Sequence, residues 1–357
     1  MKKSLRFPLY ALTVIILLLV VLHFSLGHIA RYMLNQNMAE MGEYTGEVEQ
    51  VDVYWWMGSY RIHDLNIRKL QGDIQVPFLR APLIDIAISW PSLLHKRALV
   101  AEVVFTEPEL NFVDGETDAD RQTGRGVDWR ERLREQVLIE IDMLRVDNGL
   151  LAFRNFTSEP EVNVYASNVN FTVRDLTTAR TEQGERSATL EGTADFLDHA
   201  PLEVEAAFDP MVRMEDFDFR LRVTQVQLPE LNDFASAYGK FDFSAGRGEL
   251  VLEVEASEGE LTGYIKPLLH EVEIFDYEQD IKDQEKGLFR GIWEAVVDAS
   301  ESLLRNREEE QFATRVNLRG SLQDAEISPM QAFFGILRNG FIEAFRPGFE
   351  GSEVEPE

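Results

Sequence analysis

The residues best suited to chemistry are sparse and poorly spaced for it. Six histidines stand at His23, His28, His63, His95, His199 and His270. No two lie within four residues of each other, so none can pair as metal ligands on one helical face, and the HExxH and GxSxG arrangements are absent. Asp114, Glu116, Asp118 and Asp120 alternate in a polar stretch that suggests calcium. In EF-hand spacing, however, the glycine position falls on Ala119 and the twelfth-position glutamate on Arg125, which favours a solvated loop tip. Asn155-Phe156-Thr157 and Asn170-Phe171-Thr172 match the glycosylation sequon, but both phenylalanines fit strand patterns. No catalytic, cofactor-binding or metal-binding residue is predicted.

Apolar and aromatic residues offer more. Trp55 and Trp56, beside Tyr54, suit either an interfacial aromatic belt or the bulky end of a first strand. Phe171, Phe196, Phe208, Phe219 and Phe243 recur on alternating strand positions. They are the candidates to contact lipid tails if that face of the sheet is open, and ordinary core residues if it is covered. The non-directional hydrophobic effect would then supply affinity with little specificity.

Composition bounds the partners. The chain has 357 residues and a formal charge of −28, from 63 acidic and 35 basic side chains. So acidic a body repels phosphodiester backbones and argues against nucleic acid. The absence of cysteine excludes disulfides, thiolate metal sites, a cysteine nucleophile and a lipoprotein anchor.

Phe7 to Leu26 carries no charged residue over 20 positions, long enough as a helix to cross a hydrocarbon core of about 30 Å. Lys2, Lys3 and Arg6 precede it, and Glu40, Glu43, Glu47 and Glu49 follow it beyond Arg31. The positive-inside bias predicts residues 1–6 in the cytoplasm, a single-pass anchor over 7–26, and the bulk of the chain on the other side. A cleavage after Gly27 is the alternative, but the apolar run is long for a cleaved signal, which favours retention.

A juxtamembrane helix is expected over 27–42, on Ala30, Leu34, Met38 and Met41, either separate or continuous with the anchor. Period-two alternation then predicts a first β section over 43–113, an exposed loop and short helix over 114–136, and a second β section over 137–280. Pro229 to Tyr238 interrupts that section with a helix. Residues 281–346 read as helix, strand and helix, with amphipathic stripes at Leu288–Leu303 and Met330–Phe345, and 347–357 as an acidic disordered tail. The fold class expected is therefore mostly β with helices (α+β): an N-terminal transmembrane helix, a long antiparallel sheet, and a few amphipathic helices.

Two stretches carry a family likeness. They are Arg80 to Gly115, with Ser92-Leu93-Leu94 and Pro108-Glu109-Leu110, and Ile141 to Phe156, with Asn148-Gly149, Leu151 and Phe153. The chain resembles AsmA-type envelope proteins, in the branch carrying the domain of unknown function 748, over about residues 5–345. The resemblance implies a bacterial inner-membrane anchor, a periplasmic, curved, trough-like sheet, and a non-catalytic role in binding or transferring lipid in support of outer-membrane homeostasis. Phospholipid is the ligand it implies. The alternative is a scaffold that binds an envelope protein through the two C-terminal amphipathic helices.

Overall fold

The computed structural model describes residues 6–39, 41–72, 74–88, 100–115, 117–124, 140–176, 188–209, 216–239, 242–257, 260–275, 311–313 and 316–321. The short helix expected before residue 137, the helices expected at Leu288–Leu303 and Met330–Phe345, Ser92-Leu93-Leu94 and the acidic tail lie outside the described residues. Helix α1, Arg6–Met38, is unbroken, so anchor and juxtamembrane helix are one element and Gly27 is an interior position. The strands are β1 (Tyr44–Glu47), β2 (Gln50–Tyr54), β3 (Ser59–Lys69), β4 (Leu79–Ile88), β5 (Val100–Thr106), β6 (Glu109–Asp114), β7 (Glu140–Asn155) and β8 (Val162–Arg174). They continue with β9 (Ala188–Phe196), β10 (Ala200–Phe208), β11 (Phe217–Gln227), β12 (Asp242–Ser257), β13 (Glu260–Phe275), β14 (Gln311–Ala313) and β15 (Val316–Ser321).

All fifteen belong to one mixed sheet. The expected all-antiparallel order needs one correction, because β5 and β7 pair in parallel, Val100 opposite Glu140 through Thr106 opposite Asp147. β6 leads away from β5 instead of turning back. The next strand, β7, begins at residue 140, far enough along the chain for the crossover that parallel strands require. Chain contacts divide the molecule into two compact units, residues 1–152 with 168–181, and residues 153–167 with 182–357.

The first unit holds α1 and β1 to β6 with the adjoining parts of β7 and β8. β1 and β2 pair with β3 at one common offset, Glu47 opposite Asn66 and Gln50 opposite His63, so they are one strand interrupted at Val48-Glu49. β5 and β6 are likewise one strand against β4, interrupted at Glu107-Pro108: Leu83 faces Thr106 and Arg80 faces Glu109. These interruptions line up. Asp64 (φ 50°) faces Pro82, Pro82 faces Glu107 (φ 51°), and the Glu107 amide donates to the Asp147 carbonyl at 2.8 Å. Asn148 (φ 57°) donates its amide to Asn170 Oδ1 at 2.9 Å, and Asn170 Nδ2 donates to the carbonyl of Asn168 (φ 49°) at 2.6 Å.

The result is a transverse crease with at most one left-handed residue per strand. Asn and Asp are the side chains that tolerate this conformation best, and three of the four left-handed positions carry one. At the crease the alternation of buried positions shifts by one. Val48 gives way to Val51, Ile62 to Leu65 and Ile67, Ala81 to Ile84 and Ile86, and Val146 to Gly149. The apolar residues thereby stay inside on both sides. Pro108 and Gly149 meet here. The Leu150 amide donates to the Pro108 carbonyl at 2.8 Å, and a Cβ on Gly149 would lie 3.3 Å from the Pro108 ring. These contacts hold the crease together.

The second unit is an antiparallel meander, β9 to β13, with β14 and β15 as one interrupted edge strand on β13. Leu197 (φ 50°), Asp198 (φ 69°) and His199 make the three-residue turn between β9 and β10. Between β11 and β12 the expected helix is present as three short turns, Leu228–Leu231, Asn232–Phe234 and Ala235–Gly239, with Pro229 in the first turn. Asn232 fastens it by donating Nδ2 to the Phe243 carbonyl (2.9 Å) and accepting from the Phe243 amide (2.8 Å). Strand β13 contains Pro267, a residue that cannot donate to a ladder. The described pairing on that side stops at Ile265 and resumes at Leu268, so the proline occupies the break between β15 and β14.

Candidate functional site

The register of the second unit stacks its apolar residues into rows that cross the strands. Leu202, Val223, Leu250 and Pro267 form one row, and Val204, Leu221, Leu252 and Ile265 the next. Ala206, Phe219 and Val254 follow, then Phe208, Phe217, Ala256 and Leu261. Glu203 opposite Arg222, and Glu205 opposite Arg220, occupy the other face and are exposed. Strict period two over four consecutive strands makes the sheet two-faced, acidic and basic outside, aliphatic and aromatic inside.

That apolar face is not uniformly covered. Over β12 and β13 it is closed, with Leu252, Val254, Leu261 and Ile265 forming a buried cluster. Over β10 and β11 it is half-open, since Leu202, Val204, Phe208, Phe217, Phe219 and Leu221 are all only half-buried. Phe217, Phe219, Leu221 and Leu250 pack against the closed cluster from its margin. Phe196, Leu202 and Leu231 pack beside a second buried cluster of Ala200, Val223 and Val226. The half-open part is therefore continuous with solid core on one side.

Of the five predicted phenylalanines, Phe196, Phe208 and Phe219 share this face in the second unit. Phe171 is half-buried on β8 in the first unit and so belongs to a different body. Phe243 falls out of the set: it is 2% exposed beneath the Asn232 clasp, leaving no surface for a ligand. Phe217 belongs with the group because it faces Phe208 directly.

The described titratable groups pair with one another and with nearby hydroxyls. Asp198, at the β9–β10 turn, accepts from Tyr165 Oη at 2.6 Å and Ser167 Oγ at 2.7 Å. The Tyr165 hydroxyl, and then the Ser167 hydroxyl, hold the Asp198 carboxyl below its ordinary range, and the same bond raises the Tyr165 phenol. His199 lies 3.1 Å from Glu230 and His63 lies 3.0 Å from Asp52. Asp52 is held low chiefly by the Gln50 amide and then by His63.

The acidic loop is built round a cation already present in the chain. Lys69, whose side chain is 6% exposed, donates Nζ to the carbonyls of Asp118 and Arg121. Arg121 pairs with Asp114 at 3.5 Å and Asp118 at 3.6 Å, and its Nε donates to the Gly115 carbonyl at 2.7 Å. The Lys69 ammonium, on the Asp118 and Arg121 carbonyls, disfavours a second cation beside them. Glu116 lies outside the described residues. Among the described residues no three His, Asp or Glu side chains converge as metal ligands. Asn155 of the first sequon is buried, donating to Tyr238 Oη at 2.9 Å and accepting from the amides of Thr157 and Ser158. It is a turn residue.

At the other end of the chain, Tyr10, Leu12, Val14 to Leu17 and Leu19 to Val21 of α1 are all exposed, with no cover from the protein. The helix is long and apolar enough to cross a membrane. No family model matches the chain, and no curated protein matches it.

Proposed function

We propose that this is a membrane-tethered module that binds lipid tails on the half-open apolar face of β10 and β11. The observation that carries the proposal is the combination, in one continuous face, of a closed cluster over β12 and β13 with half-buried Phe208, Phe217 and Phe219 beside it. A tail laid along these rows would bury methylenes at roughly 0.8 kcal/mol each, so about ten of them supply roughly 8 kcal/mol before the cost of ordering the chain. No polar group is needed on that face, so headgroup specificity is low.

The tether supports the same reading. A helix with a bare apolar surface from Tyr10 to Val21 is satisfied by hydrocarbon, and Lys2, Lys3 and Arg6 orient it with the N-terminus in the cytoplasm. The resemblance of the Pro108-Glu109-Leu110 and Asn148-Gly149 stretches to AsmA-type proteins supports a bacterial inner membrane, with the sheet in the periplasm. The role is then lipid binding or transfer in support of the outer membrane.

A phospholipid bearing a diazirine near the middle of one acyl chain tests the proposal when incubated with the full chain in membranes. Crosslinks should concentrate in peptides covering Leu202–Phe208 and Phe217–Val223. Crosslinks confined to α1 would refute tail binding by the sheet.

A further inference from the structure

The tip of the β2–β3 hairpin has no packing role that explains its composition. Trp55 is 48%, Trp56 54% and Met57 49% exposed, three large apolar side chains in succession at a turn closed by Gly58 (φ 65°). Where the hairpin points is fixed by its contacts with α1. Asn35 bonds both the amide (2.8 Å) and the carbonyl (3.2 Å) of Val48. Twelve helix residues earlier the His23 ring lies 5.0 Å from that of Trp56. Between them, Gly27 presents bare backbone to the Val51 carbonyl, which any Cβ would overlap.

Strand and helix therefore run antiparallel in close contact, and the hairpin tip points back along α1 toward its uncovered apolar half. A span beginning at Phe7 reaches about 30 Å at Leu26. His23 then lies about 4.5 Å, three residues, inside the far boundary. Trp56 packs against His23 at that depth with the rings tilted by 51°, and Trp55 lies against Trp56 with ring centroids 5.8 Å apart. Tyr54 completes the cluster 5.9 Å from Trp56, with the Arg61 guanidinium 5.6 Å above its ring and ion-paired to Asp85 at 2.5 Å. An apolar tip backed by amphipathic aromatic rings and then by charge matches the order of hydrocarbon, interface and water.

We infer that Trp55, Trp56 and Met57 form a second membrane foot, inserted into the interface of the same bilayer that holds α1. The occupant of this patch is the phospholipid bilayer. Two attachment points, a spanning helix and an adjacent wedge, stop the first unit swivelling about its tether and start its sheet at the lipid surface. The inference rests on α1 spanning the membrane but not on lipid binding by the second unit.

The lack of native cysteine allows single-site spin labelling of the full chain. Met57→Cys, Leu17→Cys and Glu203→Cys proteins, each labelled and reconstituted into bilayers of phosphatidylethanolamine and phosphatidylglycerol, are compared by power saturation with oxygen and with a water-soluble nickel complex. Oxygen should dominate at position 17, the nickel complex at 203, and position 57 should be oxygen-favoured by several-fold over 203. Trp55→Cys should agree with position 57, which guards against a local effect of one label. Nickel accessibility at 57 equal to that at 203, with 17 still oxygen-favoured, would overturn the foot alone. Nickel accessibility at 17 as well would overturn the span and the foot with it.

Discussion

Removing the Asn35 side chain should detach the sheet edge from the anchor helix. Val48 is 2% exposed and lies at the interruption between β1 and β2. Its amide and carbonyl are served by Asn35 at 2.8 Å and 3.2 Å. In Asn35→Ala both become orphans in a site closed to water, at about 1–3 kcal/mol for each, or about 2–4 kcal/mol together once some relaxation is allowed. Asn35→Asp keeps an acceptor for the amide but sets a carboxylate oxygen against the Val48 carbonyl, so it should not rescue. The reporter is the amide of Glu49, whose own bond to the His63 carbonyl (3.1 Å) the substitution leaves alone. If the edge opens as a unit, its hydrogen exchange should accelerate roughly 30- to 1,000-fold, at tenfold per 1.36 kcal/mol. Acceleration below about threefold would refute the view that Asn35 joins helix to sheet.

Gly27→Val tests the same junction from the helix side. Its side chain must displace the Val51 carbonyl, so exchange at Val51 should quicken while α1 still inserts into membranes, and an unchanged rate would contradict the close approach. Lys69→Met removes the donor to the Asp118 and Arg121 carbonyls, and limited proteolysis should cut within residues 114–121 at least tenfold faster, as expected for about 1.5–3 kcal/mol of lost charged hydrogen bonding. The Asp198 carboxyl titrates below its ordinary value when folded, so its contribution is complete above the unfolded pKa of about 4 and is lost as pH falls through the folded value. Exchange at the Leu197 amide, which bonds the Tyr165 carbonyl at 3.0 Å, should rise on acidification below pH 4 in the native chain, and Asp198→Asn should abolish that dependence. Burial pushes the Tyr60 phenol up to about 12, so its contribution is present below the unfolded value of about 10 and falls away as pH rises toward 12; denaturation midpoints should drop over that window, and Tyr60→Phe should flatten the drop.

Alternation and the uncharged run at Phe7 to Leu26 made the β-rich class and the apolar helix legible in the sequence. Strand boundaries are harder to read because parity changes within a strand. Tyr60 and Ile62 alternate on even positions and Leu65 and Ile67 on odd ones, yet all four lie on the single strand β3. β7 divides in the same way at Asn148, and β8 at Asn168. The available signal was an Asp or Asn placed where the parity changes, the residue types that accept a left-handed backbone. β13 falls within the β section expected over 137–280, but Pro267 and Gly263 dilute its pattern, and the break that accommodates Pro267 is a property of its neighbours. The parallel pairing of β5 with β7 depends on a crossover that no local pattern encodes. For the site, the face of Phe196, Phe208 and Phe219 was visible in their spacing. The enclosure of Phe243 was not, because it depends on the Asn232 clasp from a different element.

The most direct measurement of the central claim is native mass spectrometry of the full chain released from its membranes in mild detergent, with the bound lipids identified after release. Native protein should carry phospholipid in defined stoichiometry. A Phe208→Asn/Phe219→Asn double variant, altered only at half-open positions of the face, should retain its fold by circular dichroism and lose at least nine-tenths of that lipid. Equal lipid on both proteins, or none on the native chain, would contradict lipid binding by the β10–β11 face.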